Sequence, residues 1–410
     1  MALRIAYLLK KFPRLSETFV LNEMLRQEEL GARVHVFSRR EPDDEPRHPQ
    51  IAELKAEVEV LPSTSGIAPW ISLFDFSAQS PELMGRFAAL VHALAEFDHP
   101  HMHSLFAEAL YLLRRTAELD IQHVHVHFAT EAAITAMILH ELGGPPYSVT
   151  AHAKDIYRST VDVRLLARIV ERSRFTVTVC DANVEFLADR LPPAALRKIR
   201  RLYNGIDLER FSAPSAPREE DLILSVGRLV PKKGFDVLLE ALALLRERGR
   251  SFRAALIGEG EERERLAGMV RGLGLESHVV LTGGVDQDVV REWMNRATVF
   301  CLPCIIGEDG NRDALPTVLL ESLAVGLPSI STPVTGVPEI LARGRAGVLV
   351  PERDPRATAD ALEQLLDSGQ RRLEIAAAGR QHAERNFDAR RAARTLAGWF
   401  EEAWAAARCA

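Results

Sequence analysis

Cysteine is scarce in this chain, with only Cys180, Cys301, Cys304 and Cys409 among 410 residues. Four scattered thiols imply no disulfide framework. Cys301 and Cys304 form a single CxxC, but a structural zinc site needs a second ligand pair, and none stands out. The pair reads as small apolar residues at the end of the strand TVFCLPC. No run of apolar residues is long enough to span a bilayer. A basic surplus is also missing: 51 Lys and Arg against 57 Asp and Glu give a net charge of −6, which argues against a nucleic-acid binder. Gly258 and Gly260 in LIGEGE are followed by Arg263, so no GxGxxG dinucleotide fingerprint is formed. The opening MALRIAYLLKKFP is apolar first and basic second, the reverse of a secretory leader, and a cytosolic protein is expected.

What is present is an alternation of strand-like and helix-like segments over nearly the whole length, which points to α/β domains with parallel sheets. RIAYLL, RVHVFS, VEVLP, HVHVHF, YSVTAHA and FTVTVC read as strands of a first half. Asp181 is placed to cap the helix ANVEFLADRL. The polar, proline-bearing stretch Ser212–Asp221 reads as a linker, and the rhythm restarts with LILSVG. Two doubly wound, Rossmann-like domains facing a cleft are expected, with ligands at the carboxyl ends of the strands. The expected division is 1–205, an acceptor-side domain; 206–385, a donor domain; and 386–410, a terminal helix packing back toward the first domain.

The most informative segment is Gly310–Pro328, GNRDALPTVLLESLAVGLP. Pro316 falls where a helix would begin, a position that suits proline because its missing N–H would be unpaired there. Exposed amides at that helix start form a seat for phosphate. Glu321, one turn further on, would face the hydroxyls that accompany it. A second handle is Gly227-Arg228 followed by Lys232-Lys233-Gly234, where the lysines are expected to open the next helix. Arg grips a diphosphate with paired hydrogen bonds, while Lys supplies a mobile charge. Each signal has a plainer structural reading, a capped helix with one buried Glu and a solvated basic turn.

Taken in order, FPRLSETFVLNEM, VTAHAKDIY, YNGID, GRLVPKKGFDVLLEAL, LIGEGEERERL and DALPTVLLESLAVGLPSISTPVTGVPEI resemble retaining glycosyltransferases of family 4, with the GT-B fold. FPRLSETF and AHAKDIY are similar to the branch that builds exopolysaccharides such as colanic acid. The resemblance implies a metal-independent hexosyl transfer from a nucleotide-sugar co-substrate, UDP-linked first and GDP-linked next, with no further cofactor. The acceptor would be a carbohydrate, a lipid-linked sugar or a small metabolite.

The same resemblance implies that Arg228 and Lys233 hold the donor diphosphate, with Lys232 an extra charge. It sets Glu321 on the ribose and Asp313 beside the transferred sugar, near the reacting carbon. Here the first acid is Asp where the family usually has Glu, and Ala314 replaces a usual Gly; both bear on sugar identity. Leu315, Pro316 and Thr317 would line sugar and phosphate with backbone groups. His152 would approach the donor sugar from the first domain, with Asp155 orienting it or capping a helix. Asn204 would contact the donor at the hinge or simply form a turn before Gly205. In the first loop, Ser16 or Glu17 would cap the following helix or touch an acceptor hydroxyl.

The alternating histidines His123, His125 and His127, and likewise His99, His101 and His103, share a strand face in each trio. A metal would need carboxylate support that the sequence does not locate, so no metal site is expected. Asp286-Gln287-Asp288 spells a DxD but reads as a helix start. The basic stretch RLPPAALRKIRRL reads as a solvated helical face, with contact to anionic lipid as the alternative. Two other functions fit the same architecture. A nucleotide-sugar epimerase would convert donor without acceptor, and a non-catalytic carbohydrate-binding relative would bind donor without turnover.

Overall fold

A computed structural model of the chain describes residues 2–14, 17–42, 44, 48–64, 71, 81–214 and 216–408. Two all-parallel sheets organise it. The first holds β1 (Arg4–Leu9), β2 (Arg33–Ser38), β3 (Glu57–Val60), β4 (His123–His127), β5 (Tyr147–Ala151), β6 (Phe175–Thr178) and β7 (Ile199–Arg201), in the order β3-β2-β1-β4-β5-β6-β7. The second holds β8 (Leu222–Val226), β9 (Arg253–Ile257), β10 (Val279–Gly283), β11 (Val299–Leu302), β12 (Ser329–Ser331) and β13 (Val348–Leu349), in the order β10-β9-β8-β11-β12-β13. Helices cover both faces of such sheets, so central strands are buried on both faces. Ile5 to Leu9 are all buried, as are Leu222 to Val226.

Strand order sets where ligands can sit. β1 pairs with β2 from Arg4↔Arg33 to Leu9↔Ser38, and on its other edge with β4 from Ile5↔His123. β8 is flanked in the same way by β9 and β11. At each such point the winding reverses, and the loops leaving the strand ends part to form a crevice. His152 follows β5, Arg228 follows β8, and the loop carrying Asp313 follows β11.

One apolar cluster runs from Ala151, Tyr157 and Cys180 of the first half into Leu224, Leu315 and Val337 of the second. The chain crosses between the halves beside its own return: Ile206 pairs with Asp388, and a Cβ on Gly205 would lie 2.3 Å from Ala389 Cα. Only glycine permits that approach. The helix Ala389–Arg408 then buries Leu396, Phe400 and Ala403 among Ile5, Tyr7, Phe175 and Val177 of the first half. Gln27 Nε2 ties it down by donating to the Ala393 carbonyl at 3.0 Å.

Several local expectations change. The stretch Ser212–Asp221 is anchored at its far end to the second half: Arg218 donates to the carbonyls of Met294, Ala297 and Val325, and Glu219 pairs with Arg253 and Arg296. Asp181 is the first residue of its helix and not the cap. The amides of Asp181 and Ala182 donate to the Glu339 carboxylate at 2.8 and 3.0 Å. The basic stretch is a four-residue helix, Pro193–Leu196, followed by edge strand β7. Arg190, Arg197 and Arg201 are exposed, as a solvated face requires; Arg190 stacks over Phe186, Arg201 pairs with Asp181, and the half-buried Arg200 pairs with Glu402. No helix among the described residues is long and apolar enough to cross a membrane.

Candidate active site

The turn after β8 delivers the cations. Pro231–Lys233 forms a single 3-10 turn, and the long helix starts only at Phe235, so the two lysines precede it. Gly234 makes the join at φ +67, where an added Cβ would meet the Pro303 carbonyl oxygen at 1.9 Å. That contact presses the turn against the loop after β11 and swings both lysines toward Asp313. Lys232 Nζ lies 2.8 Å from Asp313 Oδ1, and Lys233 Nζ lies 2.5 Å from Oδ2. Burial opposes the charge on Asp313, yet the two ammonium groups prevail and hold its carboxyl far below the usual carboxylate range. Burial likewise works against the Lys233 ammonium, and the Asp313 charge more than offsets it, raising its pKa. Two cations share one anion, leaving a net positive knot. Arg228 stands exposed beside it and makes no ion pair among the described residues.

Cys301 and Cys304 are buried free thiols, and burial pushes the Cys304 thiol up to about 12. Cys304 Sγ backs onto Asp313 Oδ2 at 4.0 Å, which makes it packing behind the acid. Cys409 lies outside the described residues.

The helix Thr317–Ala324 provides the second element. Pro316 is its N-cap, one position earlier than the first helical residue, because its backbone is extended (φ −62, ψ 109). No side chain caps this helix start, so its first amides are free to meet a ligand. Leu315 and Pro316 are buried, and Thr317 is half-buried. Glu321, 4% exposed, accepts a 2.7 Å hydrogen bond from Gln287 Nε2. Arg210 in turn donates to Gln287 Oε1 at 3.0 Å. Burial pushes the Glu321 carboxyl up to about 6, partly offset by the Gln287 bond and the Arg210 charge. The DxD is indeed a helix start, with Asp286 accepting from the amides of Asp288 and Val289. Its middle residue is the one that holds Glu321, a role that no motif in the sequence announces.

His152, 8% exposed, follows directly on β5 in the first half. Asp155 holds its backbone rather than its ring. The carboxylate accepts from the amides of His152 and Ala129, because the turn folds it back beneath the strand end. The ring is held by His127, whose Nδ1 lies 3.1 Å from His152 Nε2. Burial, then the His127 and Lys154 charges, keep the His152 imidazole neutral, with its pKa well below normal. Lys154 lies over the Phe128 ring at 4.2 Å. Glu17 occupies the N-cap of the helix Thr18–Glu29 without a capping bond, since Arg14 takes its carboxylate at 2.9 Å. Ser16 lies outside the described residues. Asn204 lines a cavity of about 40 Å³ with Glu23, Arg26 and Thr150. Among the described residues no contact joins it to Arg228, Lys233 or Glu321.

The His152 loop and the Asp313 loop meet across the boundary between the halves. The Arg312 guanidinium sits 4.5 Å over the Tyr157 ring, Ser159 N donates to Asp309 O at 3.1 Å, and Arg158 pairs with Asp309 at 3.3 Å. Glu339, from the second half, bridges the same boundary through Asp181, Ala182 and the Tyr203 hydroxyl. Sequence reasoning missed Gln287, Arg210 and Glu339. Its one available hint for Lys232 was adjacency to Lys233.

Comparison with known proteins bears on the family and the fold. Residues 16–210 match the family model for Glycosyltransferase Family 4, and residues 208–382 match that for Glycosyl transferases group 1. A glycosyltransferase of Escherichia coli K12 named for colanic acid biosynthesis, WcaL, is 29% identical over 389 residues, spanning 88% of this chain and 90% of that protein. The GDP-mannose-dependent alpha-(1-6)-phosphatidylinositol monomannoside mannosyltransferase of Mycobacterium tuberculosis is 30% identical over 281 residues, covering 65% of this chain and 72% of its own length. Among solved structures, Anabaena HepE in complex with UDP and glucose superposes with a TM-score of 0.72 at 15% identity, over 96% of this chain and 98% of that one. With two parallel-sheet, Rossmann-like domains and both family models matched in succession, the chain belongs to the family 4, group 1 glycosyltransferases of GT-B fold.

Proposed function

We propose that this glycosyltransferase moves a hexose from a nucleoside-diphosphate donor to an acceptor hydroxyl with retention at the anomeric carbon, in exopolysaccharide assembly. The relation to WcaL supports the polysaccharide setting. UDP is the first candidate for the donor nucleotide, given the fold shared with the UDP complex of HepE, and GDP is the second, given the named donor of the mannosyltransferase. The acceptor is a carbohydrate, free or lipid-linked, or a small glycosylated metabolite. A lipid-linked acceptor would bring the protein to the cytoplasmic membrane surface without a spanning segment.

The observation that carries this reading is the cationic knot of Lys232, Lys233 and Asp313 in the same half as an uncapped helix start, with His152 on the opposing loop. In the proposed reaction, Arg228, Lys233 and the first amides of the helix at Thr317 hold the diphosphate. Charge placed in advance where a leaving group becomes more negative is a large catalytic term. The bond between the anomeric carbon and the phosphate oxygen breaks. The acceptor oxygen bonds the same carbon from the face being vacated, and its proton passes to the departing phosphate. Asp313 fixes the two ammonium groups and lies beside the sugar. Glu321 accepts from the ribose hydroxyls, and His152 hydrogen-bonds a sugar hydroxyl. The side chains and helix start supply the positive charge at the diphosphate, so no divalent cation is required there.

The test is incubation with a panel of UDP- and GDP-sugars, with and without saccharide acceptors. The reading expects nucleoside diphosphate release that depends on acceptor, and a product whose anomeric configuration matches the donor by NMR. Release of an epimerised donor without acceptor, or an inverted product, would overturn it.

A further inference from the structure

We propose that Glu23, His125 and His127 form a binding site for one divalent transition-metal cation of the zinc class, seated in the first half beneath His152. Alternation along β4 sends the His125 and His127 rings to one face of the sheet. The helix Thr18–Glu29 lies over that face and supplies the carboxylate that sequence alone did not locate. Glu23 Oε1 is 3.1 Å from His127 Nε2 and 3.5 Å from His125 Nε2. All three candidate ligand atoms lie within 4.8 Å of one another, and no other trio of His, Cys, Asp or Glu among the described residues converges in this way. Tetrahedral ligands about 2.0–2.1 Å from zinc sit roughly 3.3 Å apart, close to the two measured separations.

The outer contacts are those such a site needs. Ligating histidines ordinarily donate their second ring N–H to a neighbour, which fixes tautomer and orientation. His127 has His152 Nε2 at 3.1 Å for its Nδ1, and His125 has Ser148 Oγ at 2.8 Å for its Nδ1. The Tyr7 hydroxyl donates to Glu23 Oε1 at 2.9 Å. Glu23 makes no ion pair with Lys or Arg among the described residues; its Oε1 meets the Tyr7 hydroxyl and the two imidazoles. A cavity of about 40 Å³ lined by Asn22, Glu23, Arg26 and Thr150 adjoins the carboxylate and is large enough for a water. No residue of the lysine knot lines this cavity, and the cation is assigned no part in holding the diphosphate.

Occupancy changes the ring next door without releasing a proton. In the metal-free protein His127 donates through Nε2 to Glu23, so its Nδ1 accepts from His152 Nε2–H. A cation on His127 Nε2 moves the His127 proton to Nδ1, and His152 must then carry its own proton on Nδ1. The site therefore sets the tautomer of His152. That consequence matters to catalysis only if the proposed function holds, whereas the binding site stands without it.

The experiment uses the full chain without an affinity tag, stripped with chelator and titrated with cobalt(II), then with zinc as competitor. Expected are one equivalent bound at micromolar affinity or tighter, visible bands of a four-coordinate cobalt centre, and displacement by zinc. Glu23→Gln should weaken binding at least tenfold while keeping its circular dichroism spectrum, and His101→Ala should leave it unchanged. Ring nitrogen NMR should show the His127 and His152 protons moving from Nε2 to Nδ1 on zinc addition. Should Glu23→Gln lose its fold, His125→Gln serves in its place. Binding below a tenth of an equivalent, or affinity equal in wild type and Glu23→Gln, overturns the assignment.

Discussion

Replacing Glu321 by Gln should make the protein more stable at neutral pH and poorer at holding a nucleotide. The carboxyl is almost fully buried, and its pKa is raised from 4.5 to about 6. That difference corresponds to about 2 kcal/mol of disfavoured ionisation. The sign follows from proton uptake. Between about pH 4.5 and 6 the folded chain binds this proton more tightly than the unfolded chain, so stability falls as pH rises through that window. Above about 6 the full cost is present; below about 4.5 it vanishes. Gln keeps the shape and still accepts the Gln287 hydrogen bond, but has no charge to bury. Scanning calorimetry at pH 7.5 should show a gain of about 2 kcal/mol, roughly 4–8 °C for a domain of this size, and at pH 5 most of it should be gone. The same substitution should weaken UDP binding about 10- to 100-fold, because hydrogen bonds to an ionised acceptor are worth about 1.5–3 kcal/mol. A Tm change that is independent of pH, or unchanged nucleotide affinity, would refute the idea that Glu321 bears a stability cost in order to bind.

Three other perturbations separate the parts of the site. Asp313→Asn leaves two ammonium groups without their anion in a largely enclosed knot; chemical denaturation at pH 7 should show a loss of about 3–5 kcal/mol. Because the folded Asp313 carboxyl is held far below the usual range, its stabilisation is complete at neutral pH, begins to fade as pH falls into the ordinary carboxylate range, and is gone below the depressed value. Lys233→Ala should cut kcat/KM by about 10²–10³, the scale of one lost charge-stabilising donor, with its circular dichroism spectrum retained. Glu339→Ala removes three hydrogen bonds across the domain boundary and should enlarge the radius of gyration of the unliganded protein in small-angle scattering, with nucleotide affinity preserved.

The fold was readable because periodicity reports burial. Strands such as LILSV are buried along their whole length and, Ser225 apart, apolar, since parallel sheets are covered on both faces. The motif residues were readable because the loop chemistry at strand ends is local: GR, KKG and DALPT sit within a few residues of the strands and helix that aim them. What stayed hidden came from distant segments. Nothing in Gln287 suggests that it meets Glu321, 34 positions away, and Glu339 meets Asp181 across 158. Asp313 was expected beside the sugar, but its ion pairs with both lysines depend on how closely Gly234 lets two loops approach. Pro316 was misplaced by one position, because backbone angles rather than composition decide where a helix begins. The carboxylate that completes the histidine cluster was present in the first helix all along, 102 residues from its nearer partner, so no spacing rule reached it.

The central claim is that a nucleoside diphosphate is gripped between Arg228, Lys233 and the helix start at Thr317, with its ribose on Glu321. A crystal structure of the protein soaked with UDP, or with GDP if that binds more tightly, tests it most directly. The account predicts diphosphate oxygens within hydrogen-bond distance of Lys233 Nζ, the Arg228 guanidinium and the Thr317 amide, with a ribose hydroxyl on the Glu321 carboxylate. A nucleotide bound elsewhere, or one whose phosphates leave the Lys233–Asp313 pair untouched, would contradict it.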